Sequence, residues 1–384
     1  MWILSDKEKV KMRRKILFLI ESLGGGGAEK VLSTIVKHID TQRFDVTVCV
    51  ITAGGTYDEE VASHVRLYFL LRNPKAYHGV GRICYWLKYH LIYDWLPKRW
   101  VYKLFIPHDN DAEIAFVEGF ATQLLSYSTN TTAKKIAWVH VDLKQRPWPI
   151  QVGIYKDVEE ERAAYLRYDS VVCVSHSVEK IMRQEYGLDR TCTIYNPLDE
   201  DAICACAHDY SHCVVDKSCY NIVSVGRLEY QKGYDMLLSI IRRLKDDGKR
   251  VHLWIIGEGS QRYALEDQVK ELDLLNDVTF TGFLKNPYSL MSKMDLFVCS
   301  SRAEGFSLVI AESLILGVPV ISMNCSGPNE LLAEVPQYLC DTYEELFFKI
   351  KERVSHKNIK EIIQKPALLD SDKVMKQIEG LFVS

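Results

Sequence analysis

Strand-sized apolar runs alternate with amphipathic helical stretches along most of the chain. Residues 15–20 lead into a glycine loop, a helical pattern follows over 28–39, and the β-branched run 44–52 comes next, an order that predicts a βαβ unit. Further strands are predicted at 65–70, 113–117, 135–139, 169–175 and 192–195. The pattern breaks at Asn196-Pro197 and through the Cys/His-rich stretch 202–219, then restarts with strands predicted at 220–225, 251–256, 278–281, 295–299 and 318–322. Two doubly wound parallel sheets follow from this, an α/β architecture of two Rossmann-like domains facing each other. The expected boundaries are 1–200, a linker at 201–219, a second domain at 220–365, and a helical segment at 366–384 able to pack back on the first domain. Such sheets bind ligands beyond the C-terminal ends of their strands, so the site belongs in the cleft between the domains.

Composition narrows the function classes. A chain of 384 residues exceeds one ordinary core, and 47% hydrophobic with 26% charged residues is a folded composition. With 48 basic and 51 acidic residues the net charge is -3, which gives no global reason to bind nucleic acid. The 11 cysteines are odd in number and scattered, and the first fifteen residues are too charged for a signal core, so a reducing cytoplasm is expected. No apolar stretch of about 18 residues exists, so any membrane attachment is expected at the interface only.

Candidate chemistry sits in the loops after strands. Gly24-Gly25-Gly26-Gly27-Ala28-Glu29-Lys30 opens a helix, so the amides of Gly25, Gly26 and Gly27 meet a phosphate or an acceptor group with no Cβ in the way; a bare structural turn is the competing reading. The dinucleotide fingerprint is absent there, and again at Gly257-Glu258-Gly259, where Arg262 fills the third glycine position. Hydride transfer is therefore disfavoured, and Gly257 and Glu258 are left to face a base or ribose or to serve a structural turn. Gly226-Arg227 and Lys232 place two cations on one loop, Arg227 as a fork and Lys232 as a point charge, which fits a diphosphate better than two solvated surface cations. The stretch Glu304-Gly305-Phe306-Ser307-Leu308, with Glu312 two turns into the next helix, is the most specific signal. Its helix N-terminus suits phosphate, and its two carboxylates can accept from sugar hydroxyls. A two-carboxylate hydrolase would need one carboxyl raised in pKa and facing a water, and nothing in the sequence points there.

These residues together resemble the family 4 glycosyltransferases, retaining enzymes of the GT-B architecture, over nearly the whole chain, from Ala28-Glu29-Lys30 to Cys325-Ser326-Gly327-Pro328-Asn329-Glu330. The resemblance implies that Glu312 holds the nucleotide ribose, Glu304 contacts the transferred sugar, and Arg227 with Lys232 neutralises the leaving diphosphate. It implies that His140, in Ala137-Trp138-Val139-His140, lies over the donor sugar from the first domain. Ser307 replaces a common glycine, and Cys325-Ser326-Gly327-Pro328 replaces a double glycine, departures that bear on donor-sugar contacts. The implied activity is metal-independent transfer of a hexose-type unit from a nucleoside-diphosphate sugar to a lipid-linked saccharide, in surface polysaccharide synthesis such as capsule or lipopolysaccharide, with no cofactor. The alternatives are a nucleotide-sugar 2-epimerase or a phosphorylase of the same fold, or a silent nucleotide-sugar-binding regulator; turnover separates the last from the rest.

Two other patterns compete for metal. Asp109-Asn110-Asp111 fits a metal-binding Asp-x-Asp but precedes its strand, and Cys204, Cys206, His208, His212, Cys213 and Cys219 lack paired zinc spacing, so no metal site is expected. The segment 72–103 carries seven basic residues against Asp94 alone, interleaved with tyrosines and tryptophans. Arg82, Trp86, Lys98, Arg99, Trp100 and Lys103 are the expected contacts to an anionic leaflet, with the protein cytoplasmic and peripheral at the inner membrane face. An aromatic-rich helical layer packed on the first sheet is the alternative, and binding of single-stranded nucleic acid fits poorly with a sugar-nucleotide site.

Overall fold

The computed structural model describes residues 13–209, 215–356 and 363–383. Among them, the first sheet contains β1 (Arg14–Ile20), β2 (Phe44–Thr52), β3 (Arg66–Leu71), β4 (Ala112–Ala115), β5 (Lys134–Val139), β6 (Ser170–Cys173) and β7 (Thr191–Thr193), in the order β3-β2-β1-β4-β5-β6-β7. The second contains β8 (Tyr220–Val225), β9 (Val251–Ile256), β10 (Val278–Gly282), β11 (Leu296–Cys299), β12 (Val320–Met323) and β13 (Leu339–Cys340), in the order β10-β9-β8-β11-β12-β13. Every pairing is parallel. Parallel strands need crossovers, and helices on both faces bury them on both sides, which is why β1 is apolar without alternation from Ile16 to Ile20. In each sheet the first strand lies between neighbours that run off in opposite directions, β1 between β2 and β4 and β8 between β9 and β11, so each domain has its switch-point crevice there.

The expected linker at 201–219 is corrected in its first part. Glu200–Ala207 is a helix, because Asp199 caps it by accepting from the Ala202 amide at 3.0 Å. Asp199 also pairs with Lys37 at 2.5 Å, while the Cys206 carbonyl accepts from Asn286 at 2.9 Å, so this helix is tied to both domains. The closing helix Ser371–Leu381 lies on the first domain. Phe382 meets Phe18 and Phe44 edge-on at 5.9 and 5.7 Å, and Glu379 pairs with Arg43 at 2.7 Å.

Candidate active site

The loops after β8 and β11 converge on Glu304. Lys232 ends a 3-10 turn, and its ammonium reaches Glu304 Oε1 at 2.5 Å, where Ser301 Oγ also donates at 2.7 Å. Ser300 Oγ donates to the Lys232 carbonyl at 2.8 Å, which locks the two loops together. Burial pulls the Lys232 pKa down, but the Glu304 carboxylate outweighs it and the ammonium is held above its usual value. Gly226 and Gly257 pack backbone on backbone: a Cβ on Gly257 would lie 2.0 Å from the Gly226 carbonyl oxygen, so these glycines build the floor of the crevice. Glu258 is exposed and paired with Arg262 at 3.3 Å. Arg227 is exposed and makes no ion pair among the described residues.

Phe306 is buried against Tyr195, with ring centroids 5.9 Å apart, and Ser307 precedes the helix Leu308–Ile315 without capping it. Ser307 Oγ is buried and has no hydrogen-bond partner. Glu312, one turn further along, is buried and contacted by Lys30 of the first domain and by Tyr288, whose hydroxyl donates at 3.0 Å.

The first domain approaches from the opposite side. A Cβ on Gly305 would lie 2.1 Å from the carbonyl oxygen of His140, so β5's end and the Glu304 loop touch through backbone. The glycine loop closes the same gap: a Cβ on Gly25 would sit 3.0 Å from the Phe283 ring, and one on Gly27 3.1 Å from Leu308. A Cβ on Gly26 would strike the Glu29 side chain instead. His140 is stacked near Phe116 and Trp138, and its ring is bonded to the Phe116 backbone. Burial pushes its pKa down to about 4, so the imidazole is neutral, and Nε2 is buried without a partner.

Two residues of this cleft escaped the sequence reading. Arg146 is half-buried after an Asx turn in which Asp142 accepts from the Lys144 and Gln145 amides at 3.0 and 2.9 Å. Burial lowers its pKa, and Arg227 across the cleft lowers it further, so two arginines from different domains repel each other beside Glu304. A general rule could have found it, since a cation shortly after a strand-end histidine lies at the mouth of the sheet. Glu118 gave no pattern at all. It is buried and accepts the Val141 amide at 2.9 Å and the His140 amide, fixing the strand-end loop.

Burial pushes Glu118 up to about 7 from 4.5, and burial with the neighbouring Glu29 charge does the same to Glu21. A raised carboxyl binds more protons folded than unfolded between about pH 4.5 and 7, so stability falls as pH rises through that window, opposite to an ordinary paired carboxylate. His140, depressed to about 4, gives the opposite slope up to about pH 6.5, but the two carboxyls outweigh it, so the thermal midpoint is expected to be lower at pH 7.5 than at pH 5, each proton contributing a slope of up to about 1.4 kcal/mol per pH unit. Glu118→Gln keeps the accepting oxygen and should flatten the profile; an unaltered slope would show that Glu118 does not titrate there.

The competing metal patterns are engaged elsewhere. Asp109 pairs with Lys15, Asp111 accepts the Lys15 amide at 2.8 Å, and Asn110 donates to the Pro107 carbonyl at 2.8 Å. Cys204 and Cys206 lie on the helix Glu200–Ala207, and the His208 ring meets the Cys204 carbonyl at 2.7 Å; His212 and Cys213 lie outside the described residues. Among the described residues no group of three metal-ligating side chains converges.

The segment 72–103 divides into two parts. Helix Val80–His90 has no buried residue, and Trp86 and Trp100 are 52% and 55% exposed, with Arg82, Arg99 and Lys103 exposed beside them. Lys98 is a correction. It turns inward, donates to the Tyr93 carbonyl at 2.5 Å and lies 4.6 Å over the Phe120 ring, because Tyr93 and Phe120 pack there at 4.2 Å. Tyr102 is also internal, donating to buried Glu113 at 2.6 Å. No helix among the described residues is long and apolar enough to cross a membrane.

Residues 25–202 match the family described as Glycosyltransferase Family 4, and residues 215–365 match Glycosyl transferases group 1. An uncharacterized glycosyltransferase of Methanocaldococcus jannaschii is 26% identical over 242 residues, which cover 60% of this chain and 57% of the relative. The N-acetylgalactosamine-N,N'-diacetylbacillosaminyl-diphospho-undecaprenol 4-alpha-N-acetylgalactosaminyltransferase of Campylobacter jejuni is 40% identical over 114 residues, 29% of this chain and 30% of the relative. The chain thus spans little more than half of the first relative's length and under a third of the second's. Among solved structures, HepE of Anabaena in complex with UDP and glucose superposes with a TM-score of 0.73 at 20% identity, covering 97% of this chain and 100% of that one, a likeness of fold.

Proposed function

The chain belongs to the family 4 glycosyltransferases, and on that premise we propose that it transfers a sugar from a nucleoside diphosphate to a saccharide acceptor with retention and without a divalent metal. The observation that carries this reading is the Lys232–Glu304 pair at the C-terminal edge of the second sheet, with Arg227 beside it and His140 of the first domain in backbone contact with Gly305. Departure of the diphosphate is the step that needs help, and charge held in place before the reaction lowers that barrier most effectively. Lys232 and Arg227 receive the developing charge, Arg146 adds a third cation from the first domain, and Glu304 orients the sugar hydroxyls. Neutral His140 offers Nε2 as a hydrogen-bond partner to the sugar. No protein nucleophile is assigned; the acceptor hydroxyl attacks from the face that the diphosphate leaves, and its proton passes to the departing phosphate. The test is a thermal-shift panel of UDP-, GDP- and ADP-sugars in EDTA, followed by NMR of the product's anomeric configuration. Binding without turnover would favour the regulator, and dependence on Mn²⁺ or Mg²⁺ would revive Asp109 and Asp111.

The acceptor in this proposal is a lipid-linked saccharide of surface polysaccharide synthesis, presented at the inner face of the membrane. The support is the exposed aromatic and basic face of residues 80–104 together with the named activity of the Campylobacter relative on a diphospho-undecaprenol substrate. Arg82, Arg99 and Lys103 draw this face to anionic headgroups, and Trp86 and Trp100 seat at the interface. Reversing Arg82, Arg99 and Lys103 to Glu together should lower cosedimentation with anionic vesicles on the order of 10²-fold at low salt, at about 1 kcal/mol per surface cation, and leave binding to neutral vesicles unchanged. Unchanged binding to anionic vesicles would assign the face to another partner.

A further inference from the structure

Lys30 stands in the first turn of the helix Gly27–His38 and reaches across the cleft to Glu312 of the second domain. The Glu312 side chain is 4% exposed and that of Lys30 30%. Lys30 and the Tyr288 hydroxyl both meet the same oxygen, Oε1, and the ammonium also lies 4.7 Å from the centroid of the Tyr288 ring. Tyr288 belongs to the same domain as Glu312 and already holds Oε1 at 3.0 Å, so rigidity within the second domain does not call for the lysine. What Lys30 adds is charge compensation for a buried carboxylate, delivered only when the domains are together, and a buried carboxylate without it is costly. The neighbouring glycines allow this approach, since Gly27 packs against Leu308 and Gly25 against Phe283.

We propose that Lys30 is a positioning residue for the nucleotide ribose: from the opposite domain it fixes Glu312 through Oε1, so that Oε2 is presented to the ribose hydroxyls only in the closed cleft. This rests on the reading of Glu312 as the ribose acceptor. The ribose hydroxyls donate to Oε2 while Lys30 and Tyr288 keep Oε1, so recognition of ribose and closure of the domains become one event. A nucleotide lacking those hydroxyls gains nothing from Lys30. The device makes Lys30 contribute to donor selection without itself touching the donor.

The test is calorimetric titration of the full chain with UDP, GDP, CDP and ADP, and then with the 2′,3′-dideoxy analogue of whichever binds tightest. The wild type should prefer the ribose form by at least ~10-fold, the range of a hydrogen bond to a charged group. Lys30→Met should reduce that preference to within about 3-fold, mainly by weakening the ribose form, and Lys30→Arg should restore it. A merely structural pair would instead weaken both nucleotides equally. Equal weakening, or an undiminished preference in Lys30→Met, overturns the inference and leaves the diphosphate reading intact. A wild type that binds the nucleoside diphosphate without preferring ribose overturns it together with the role of Glu312. A wild type that binds none of the four brings down the donor site itself.

Discussion

Lys232→Met is expected to lower kcat/KM by roughly 10² to 10³, the loss that follows removal of one preorganised charge donor at a transition state. The Lys232 side chain is 20% exposed, committed to Glu304 at 2.5 Å, and held above its usual pKa by that carboxylate, so the ammonium stays fully charged. Two effects combine in the variant. On the proposed assignment the diphosphate loses a cation, and Glu304 is left buried with only Ser301 at 2.7 Å, which costs stability and lets the carboxylate move. A second substitution separates them. Lys232→Met with Glu304→Gln removes the stranded charge, so its thermal midpoint should recover toward wild type while turnover stays low. Arg227→Ala should weaken turnover less, because that guanidinium is exposed and screened by solvent. Single-turnover rates with donor well below saturation provide the measurement, and a near wild-type value in Lys232→Met would remove it from the diphosphate site.

The alternation of strand and helix in the sequence places twelve of the thirteen described strands within a few residues, because buried parallel strands are apolar on both faces and stand out against amphipathic helices. The missing one, Leu339–Cys340, is two residues long and has no period to read. The site divides along a similar line. Glu304 with Glu312, and Lys232 with Arg227, sit in two local motifs, so their spacing announces them, and the structure joins Glu304 to Lys232 directly. The partners that arrive from the other domain do not share those motifs. Lys30 was visible only as part of a glycine loop, Arg146 as one more cation, and Glu118 not at all, since a carboxylate buried by tertiary packing leaves no local pattern. The aromatic segment misleads for the same reason. Lys98 and Arg99 are adjacent and chemically alike in sequence, yet the Tyr93–Phe120 contact turns one inward and leaves the other in solvent.

Gly305→Ala is the mildest substitution with a large expected effect. The added Cβ would lie 2.1 Å from the His140 carbonyl oxygen and 3.1 Å from the Val141 Cα, so backbone on one side or the other must give way. Neither side gives easily. Glu118 holds the His140 and Val141 amides, and on the other side the Glu304 carbonyl accepts the Gly327 amide at 3.1 Å while Ser301 and Lys232 hold its carboxylate. The cleft is the compliant element. Opening it by about 1 Å would withdraw His140 from the place proposed for the donor sugar and strain the Lys30–Glu312 pair, and misplacement on that scale costs up to about 10²-fold in rate. Stability should change less than activity, because the hydrogen-bonded parallel sheet of each domain stays intact on either side of the widened gap. The expected result is therefore a variant with a near wild-type thermal midpoint, weaker binding of nucleotide sugar, and kcat reduced by about 10². Small-angle scattering with and without nucleotide sugar checks the geometry: the variant should fail to reach the closed dimensions of the wild type. Full activity in Gly305→Ala would mean that the reaction proceeds with the domains further apart than the His140–Gly305 contact, and would take His140 out of the catalytic set.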